Sequence, residues 1–174
     1  MISFAVPVLG FCAYSGTGKT SLLTKLLPLL NAEGLRIAVV KHTHHEFDID
    51  HSQKDSYKLR KAGATQTLIA SKKRMAWIAE FDDDHEELTL TETLAALQPA
   101  SLDLVIVEGF KRENFAKIEL HRPSLAHSLM FPKDNNIIAI ATDDSLPIAS
   151  INIPLLDLNQ PREISNFIQQ KFLS

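Results

Sequence analysis

Cysteine is nearly missing: Cys12 is the only one among 174 residues. A disulfide within the chain is therefore excluded, and so is a metal site built from several cysteines of one subunit. A dominant charge is missing too. The formal net charge is −3, which sets up no global field for a nucleic-acid backbone. No apolar run approaches the roughly 20 residues of a membrane-spanning helix. No segment is low in complexity, and Met1 leads almost at once into an apolar strand pattern, so no cleaved leader is expected. These absences point to a cytoplasmic protein that engages neither nucleic acid nor membrane. What is present suits a globular fold. Hydrophobic residues make up 45% and charged residues 22%, and the length fits one domain with a sizeable core.

The most informative stretch runs from Val6 to Thr20. The apolar residues Val6 to Ala13 read as a buried strand. They break into Ser15-Gly16-Thr17-Gly18, then Lys19-Thr20-Ser21, then a leucine-rich helical pattern. Strand, glycine-rich loop and helix in that order form the context of a phosphate-binding P-loop. Its glycines let backbone N–H groups turn toward phosphate oxygens, and the helix start adds free N–H groups and the positive dipole end. Lys19 is expected on the β- and γ-phosphates and the Thr20 hydroxyl on Mg²⁺. Ser15, Gly16, Thr17, Gly18 and Ser21 complete the expected nucleotide-binding set. Ala13 takes the place of the first glycine, which is admissible where φ is negative.

A second nucleotide signal is Leu102 to Phe110, LDLVIVEGF. Its continuous apolar run predicts a central parallel strand buried on both faces. Asp103 and Glu108 cannot both serve one metal, because five strand steps of about 3.3 Å put them roughly 16 Å apart on opposite faces. Glu108 is expected at the carboxyl end, on Mg²⁺ through water or orienting an attacking water. Glu108 and Lys19 are thus the catalytic candidates, Thr20 and Glu108 the metal candidates, and Asp103 a strand-start residue. Asp143 follows the apolar strand Ile137 to Thr142. It offers one carboxylate for guanine N1 and the exocyclic amine, without the Asn-Lys that accompanies such an Asp in many GTP-binding proteins.

The remaining segments fill in an α/β fold. Leu22, Leu23, Leu26, Leu27 and Leu30 form one face of a helix from Lys19 to about Glu33, and Pro28 inside it predicts a kink or an early end. Leu35 to Lys41 is a strand parallel to the first through a right-handed crossover. The stretch it enters, Lys41 to His51, holds four of the seven histidines. Leaving the carboxyl end of a parallel strand, it reads as a switch or second-ligand loop with candidates Lys41, His42, His44, His45, Asp48 and Asp50. A transition-metal site and a plain polar loop are the alternatives. Ser52 to Asp55 has the pattern of a capping box opening a short helix to Ala62. Lys54, Lys58 and Lys61 share a face, either a solvated surface or an anion-binding ridge. Gln66 to Ser71 and Met75 to Glu80 predict an antiparallel pair whose edge is open to another subunit, a β insertion around 64–81. Thr91 to Gln98 reads as helix, Lys117 to Leu120 as strand, Arg122 to Lys133 as a loop or lid, and Ile153 to Leu156 as the last strand. Pro161 opens a final helix with Ile164, Phe167, Ile168 and Phe172 buried. The expected architecture is a single P-loop NTPase domain over 1–174. Its sheet is mostly parallel and flanked by helices, with an additional antiparallel β region.

Given the loop AYSGTGKTSLL, the segment KHTHHEFDIDHSQKDSYKLRKAGA and the strand LDLVIVEGFK, the chain resembles the molybdopterin-guanine dinucleotide biosynthesis protein B family over nearly its whole length. The KHTHH and VEGFK segments are more specific to that family than the P-loop itself. The resemblance implies GTP and Mg²⁺ as ligands, a homodimer and at most weak GTPase activity. It also implies partnership with the guanylyltransferase that joins GMP to molybdopterin, contact with molybdopterin or its guanine dinucleotide, and delivery of cofactor to molybdoenzymes. Two other classes share the same loop. A small-molecule kinase would use Asp48 or Asp50 as base. A metallochaperone GTPase would use His42, His44, His45 and His51, although the chain lacks the cysteine pair and histidine-rich tail of such proteins.

Overall fold

The computed structural model describes residues 2–43, 47–82, 84–146 and 151–173. In chain order its elements are β1 (Val8–Cys12), α1 (Lys19–Ala32), β2 (Ile37–Lys41), α2 (Asp55–Lys61), β3 (Gln66–Ala70), β4 (Met75–Ala79), α3 (Leu90–Ala95), β5 (Leu104–Glu108), β6 (Lys117–His121), β7 (Ile137–Thr142), β8 (Leu155–Asp157) and α4 (Pro161–Phe172). They fall into two units, one of residues 1–42 with 89–174 and one of residues 43–88. The second unit contains the hairpin expected around 64–81 together with α2 and the loop before it.

The first unit is built on a six-stranded sheet in the order β2-β5-β1-β6-β7-β8, with every pairing parallel. The expected mostly parallel α/β sheet is therefore present. β2 is parallel to β1 but not beside it, because β5 lies between them. Side chains on β5 alternate between two apolar layers, as the two-residue period of a strand requires. Leu104 and Ile106 join Leu22, Leu26 and Leu30 of α1 and Ile164 and Ile168 of α4 on one face. Val105 and Val107 join Val40, Leu90, Leu94 and Phe115 on the other. All four β5 residues are completely buried.

Three local expectations are corrected. α1 has the expected span, Lys19 to Ala32, and of the two effects expected of Pro28 the early end does not occur. Pro28 is exposed, while Leu26 and Leu30 on either side are fully buried. Burial of about 1.5–3 kcal/mol per leucine offsets the ~3 kcal/mol an interior proline costs. Pro28→Ala should therefore raise stability by about 1–2 kcal/mol, since it restores a helix hydrogen bond at a solvent-exposed position. A thermal midpoint unchanged or lowered in that variant would refute this. The expected capping box at Ser52 does not form: α2 starts only at Asp55, capped by Lys54 without a side-chain bond. The box lies instead at Thr89, which begins α3 earlier than the expected Thr91. There the Glu92 N–H donates to Thr89 Oγ1 at 3.2 Å, and the Thr89 N–H donates to Glu92 Oε2 at 2.9 Å. Finally, Lys117 to His121 is buried throughout rather than alternating. Its charges are met internally: Lys117 Nζ reaches Asp134 at 2.9 Å, and Glu119 accepts the Met130 and Phe131 N–H groups at 2.8 Å each.

The second unit is small. β3 and β4 form an antiparallel two-stranded sheet with Leu68 opposite Trp77 and Ala70 opposite Met75. Arg60 on α2 is buried, and its guanidinium binds Asp48 at 2.9 Å, Asp50 at 2.6 Å and Glu80. The bond from Arg60, with a second from Ser56, holds Asp50 below the usual carboxylate range.

Candidate functional site

Parallel sheets bind ligands at the carboxyl ends of strands where the strand order reverses. Here that point is β1, flanked by β5 on one side and β6 on the other. β1 delivers the chain into the expected loop. Ala13 is fully buried and does not take a positive φ, so its side chain is accommodated. Gly16 and Gly18 have φ of +79° and +97°, which an L side chain rarely adopts. Thr17, expected to contact nucleotide, is buried. Its hydroxyl donates to the Tyr14 carbonyl at 2.9 Å and its N–H reaches the same oxygen at 3.4 Å. Thr17 therefore secures the loop from within. α1 then begins with no side-chain cap and no acid in its first turn. Lys19, Thr20 and Ser21 stand on a helix start with no charge of its own to offset the positive dipole end.

Glu108 closes β5 opposite Phe11 of β1 and Lys41 of β2. Its charge is felt at Lys19. Burial pulls the Lys19 ammonium down from its ordinary value, Glu108 pushes it up, and Lys111 and Lys41 pull it down further. A group of lysines around one acid, one of them partly desolvated, favours an incoming anion. The turn after Glu108 is unusual, because Gly109 and Phe110 have φ of +105° and +49°. A Cβ on Gly109 would lie 2.6 Å from the His42 Cβ, so only glycine lets the exits of β2 and β5 come this close. His42 donates its N–H to the Glu108 carbonyl at 2.8 Å and stacks on Phe110 at 4.3 Å between ring centroids.

The loop after β6 meets the same place. Arg122 Nε donates to the Thr17 carbonyl at 2.9 Å, and its guanidinium pairs with Asp143. His127 stacks on Tyr14 at 4.4 Å. Cys12 beneath the loop is buried, and burial pushes its thiol up to about 12, so it is no nucleophile.

The fold thus places Ser15, Gly16, Thr17, Gly18, Lys19, Thr20 and Ser21 after β1 and Glu108, Lys41 and His42 at the ends of β5 and β2, all at the carboxyl edge of one parallel sheet, and Arg122 links Asp143 to Thr17. Asp48 and Asp50 belong to the second unit and are held by Arg60. His44 and His45 lie outside the described residues. No group of three or more His, Cys, Asp or Glu side chains among the described residues is arranged to hold a metal. Sequence reading passed over Lys111, Arg122, Tyr14 and His127 as site residues. The signal was available for two of them: Lys111 and Arg122 stand just past the carboxyl ends of strands beside β1, where ligand contacts gather.

A parallel α/β sheet with this loop after its first strand, and an acid ending the neighbouring strand, defines a P-loop NTPase-like protein. The profile of the family described as molybdopterin guanine dinucleotide synthesis protein B matches residues 8–143. The molybdopterin-guanine dinucleotide biosynthesis adapter protein of Escherichia coli (strain K12) is 45% identical over 166 residues, which span 94% of this chain and 91% of that one. The adapter protein of the same name from Haemophilus influenzae is 38% identical over 94% of this chain and 88% of its own. Among solved structures, a molybdopterin-guanine biosynthesis protein B aligns with a TM-score of 0.70 and 26% identity, covering 94% of this chain and 98% of the other. A homologue from Bacillus stearothermophilus aligns with a TM-score of 0.67 and 25% identity, covering 94% and 96%. The chain belongs to the molybdopterin guanine dinucleotide synthesis protein B family.

Proposed function

We propose that this chain, an adapter of molybdopterin guanine dinucleotide biosynthesis, works by holding GTP with Mg²⁺ on the loop between β1 and α1. The observation that carries this is the loop's geometry: Gly16 and Gly18 take positive φ directly before an uncapped helix start with no acid in its first turn, on which Lys19 stands partly desolvated. A triphosphate suits such a place, because its charge compensates the desolvated ammonium and its oxygens take the free N–H groups. The Thr20 hydroxyl and Glu108 are the residues that would hold Mg²⁺, whose charge would offset that of the phosphates. The oxygen donors fit a hard divalent cation. The bound nucleotide is presented to the guanylyltransferase that couples GMP to molybdopterin, and the finished dinucleotide is passed on to molybdoenzymes. Hydrolysis is at most slow. The protein is cytoplasmic and acts as a homodimer, a role that suits the uncovered apolar side chains of Leu68, Met75 and Trp77 on its hairpin. Kinase and metallochaperone activities are not favoured by the family to which the chain belongs.

Calorimetry of GTP with and without Mg²⁺ tests the site. Wild-type protein should bind GTP with micromolar affinity only when Mg²⁺ is present. Glu108→Gln should weaken the Mg²⁺-supported affinity about ten-fold while leaving the weak metal-free binding in place, as loss of one charged ligand implies. Equal affinity of wild type with and without the metal would defeat the metal assignment.

A further inference from the structure

Arg122 and Asp143 carry an inference that rests on the nucleotide reading above and assigns them a different task within it. We infer that Arg122, held by Asp143, is a positioning residue that locks the phosphate loop in its anion-binding shape, and that Asp143 serves this brace rather than the guanine base. The peptide between Thr17 and Gly18 is planar and trans, so its carbonyl and its N–H point in opposite directions. Arg122 Nε captures the Thr17 carbonyl at 2.9 Å. That bond fixes where the Gly18 N–H points. The peptide needs such a hold, because Gly16 and Gly18 both take positive φ and glycine-flanked peptides rotate readily. The guanidinium has its own anchor, since a second nitrogen, Nη1, pairs with Asp143 Oδ2. The pair is partly shielded, with 32% and 22% of the two side chains exposed, so it is screened less than a surface ion pair. Recognition of guanine by a carboxylate uses both oxygens, one for N1–H and one for the exocyclic amine. Here Arg122 already occupies one of them.

The loop that carries Arg122 is itself anchored. Glu119 receives the Met130 and Phe131 N–H groups, and Tyr14 and His127 stack across to the phosphate loop. The brace therefore links a fixed loop to one that glycines would leave free. Its contribution is preorganisation of donors, which acts on phosphates and is blind to the base.

Calorimetry on the full chain with Mg²⁺ and GTP, GDP, ATP or XTP tests this. Arg122→Ala should weaken GTP and GDP by the same factor, about ten-fold, as loss of a charge-assisted hydrogen bond implies. Arg122→Lys should recover part of that loss. Asp143→Asn should weaken every nucleotide about three-fold and leave the GTP to XTP ratio as in wild type. The Gly18 amide resonance should be sharp in wild type and broadened in Arg122→Ala, a readout that global stability does not move. Undiminished GTP affinity in folded Arg122→Ala overturns the brace. So does a switch of Asp143→Asn toward XTP, which would make Asp143 a base reader after all. If Arg122→Ala does not fold, Arg122→Lys and Asp143→Asn decide the matter by the same ratios. Lys19→Ala separates the two layers: GTP affinity equal to wild type there removes the phosphate site itself. Loss of binding there with no effect at Arg122 removes only the brace.

Discussion

Lys19→Ala should leave no GTP binding measurable at micromolar protein. The lysine is expected to make charge-assisted bonds to two phosphates, each worth about 1.5–3 kcal/mol. Together they predict a loss of at least about a hundred-fold in affinity. The same change should not weaken the fold. Lys19 is destabilised as a cation by burial and by Lys111 and Lys41, with Glu108 compensating only in part, so its removal relieves like-charge repulsion near the loop. The two readouts must therefore diverge, with affinity falling sharply while the unfolding midpoint holds or rises. An unchanged dissociation constant would mean that the triphosphate, if it binds, does not bind here.

Much of this was legible because the residues concerned obey local rules. The buried strand β5 announces itself by an unbroken apolar run, and the phosphate loop by glycines between a strand and a helix. Glu108 could be chosen over Asp103 by counting strand steps. Asp103 is the strand-start residue expected: it lies just before β5 and pairs with Arg36 at 2.8 Å, which holds its carboxyl down to about 2. What escaped depends on contacts distant in sequence. Arg122 acts on Thr17 across 105 positions, and no period or motif joins them. The burial of Lys117 and Glu119 is similarly invisible, because charged residues on a strand read as solvent-facing until their partners at 130, 131 and 134 are known. The misplaced capping box has a different cause. Ser52-x-x-Asp55 and Thr89-x-x-Glu92 have the same pattern, and only the second has its helix begin where the box requires. Pro28 shows tertiary packing overriding a propensity, with two buried leucines carrying the helix past it.

Trp77→Asp should convert the proposed homodimer to a 19.4 kDa monomer in sedimentation at tens of micromolar. A two-stranded sheet alone is marginally stable in water, yet β3 and β4 show Leu68, Met75 and Trp77 at 63%, 61% and 50% exposure. Strand alternation puts Leu68, Ala70, Met75 and Trp77 on one face, with Leu68 directly opposite Trp77. A contiguous exposed apolar face of this kind marks an interaction surface. Its tryptophan is the residue type that most often carries interface energy. A carboxylate there would be desolvated without a partner in the dimer, a penalty of several kcal/mol and so a loss of at least about a hundred-fold in association. The charged turn between the strands offers the control. Lys73→Ala should leave the dimer intact, because Lys73 lies in the turn between the strands and outside the apolar face of Leu68, Ala70, Met75 and Trp77. A Trp77→Asp protein that sediments as a dimer would place self-association on some other surface, and a monomeric wild type would remove the homodimer altogether.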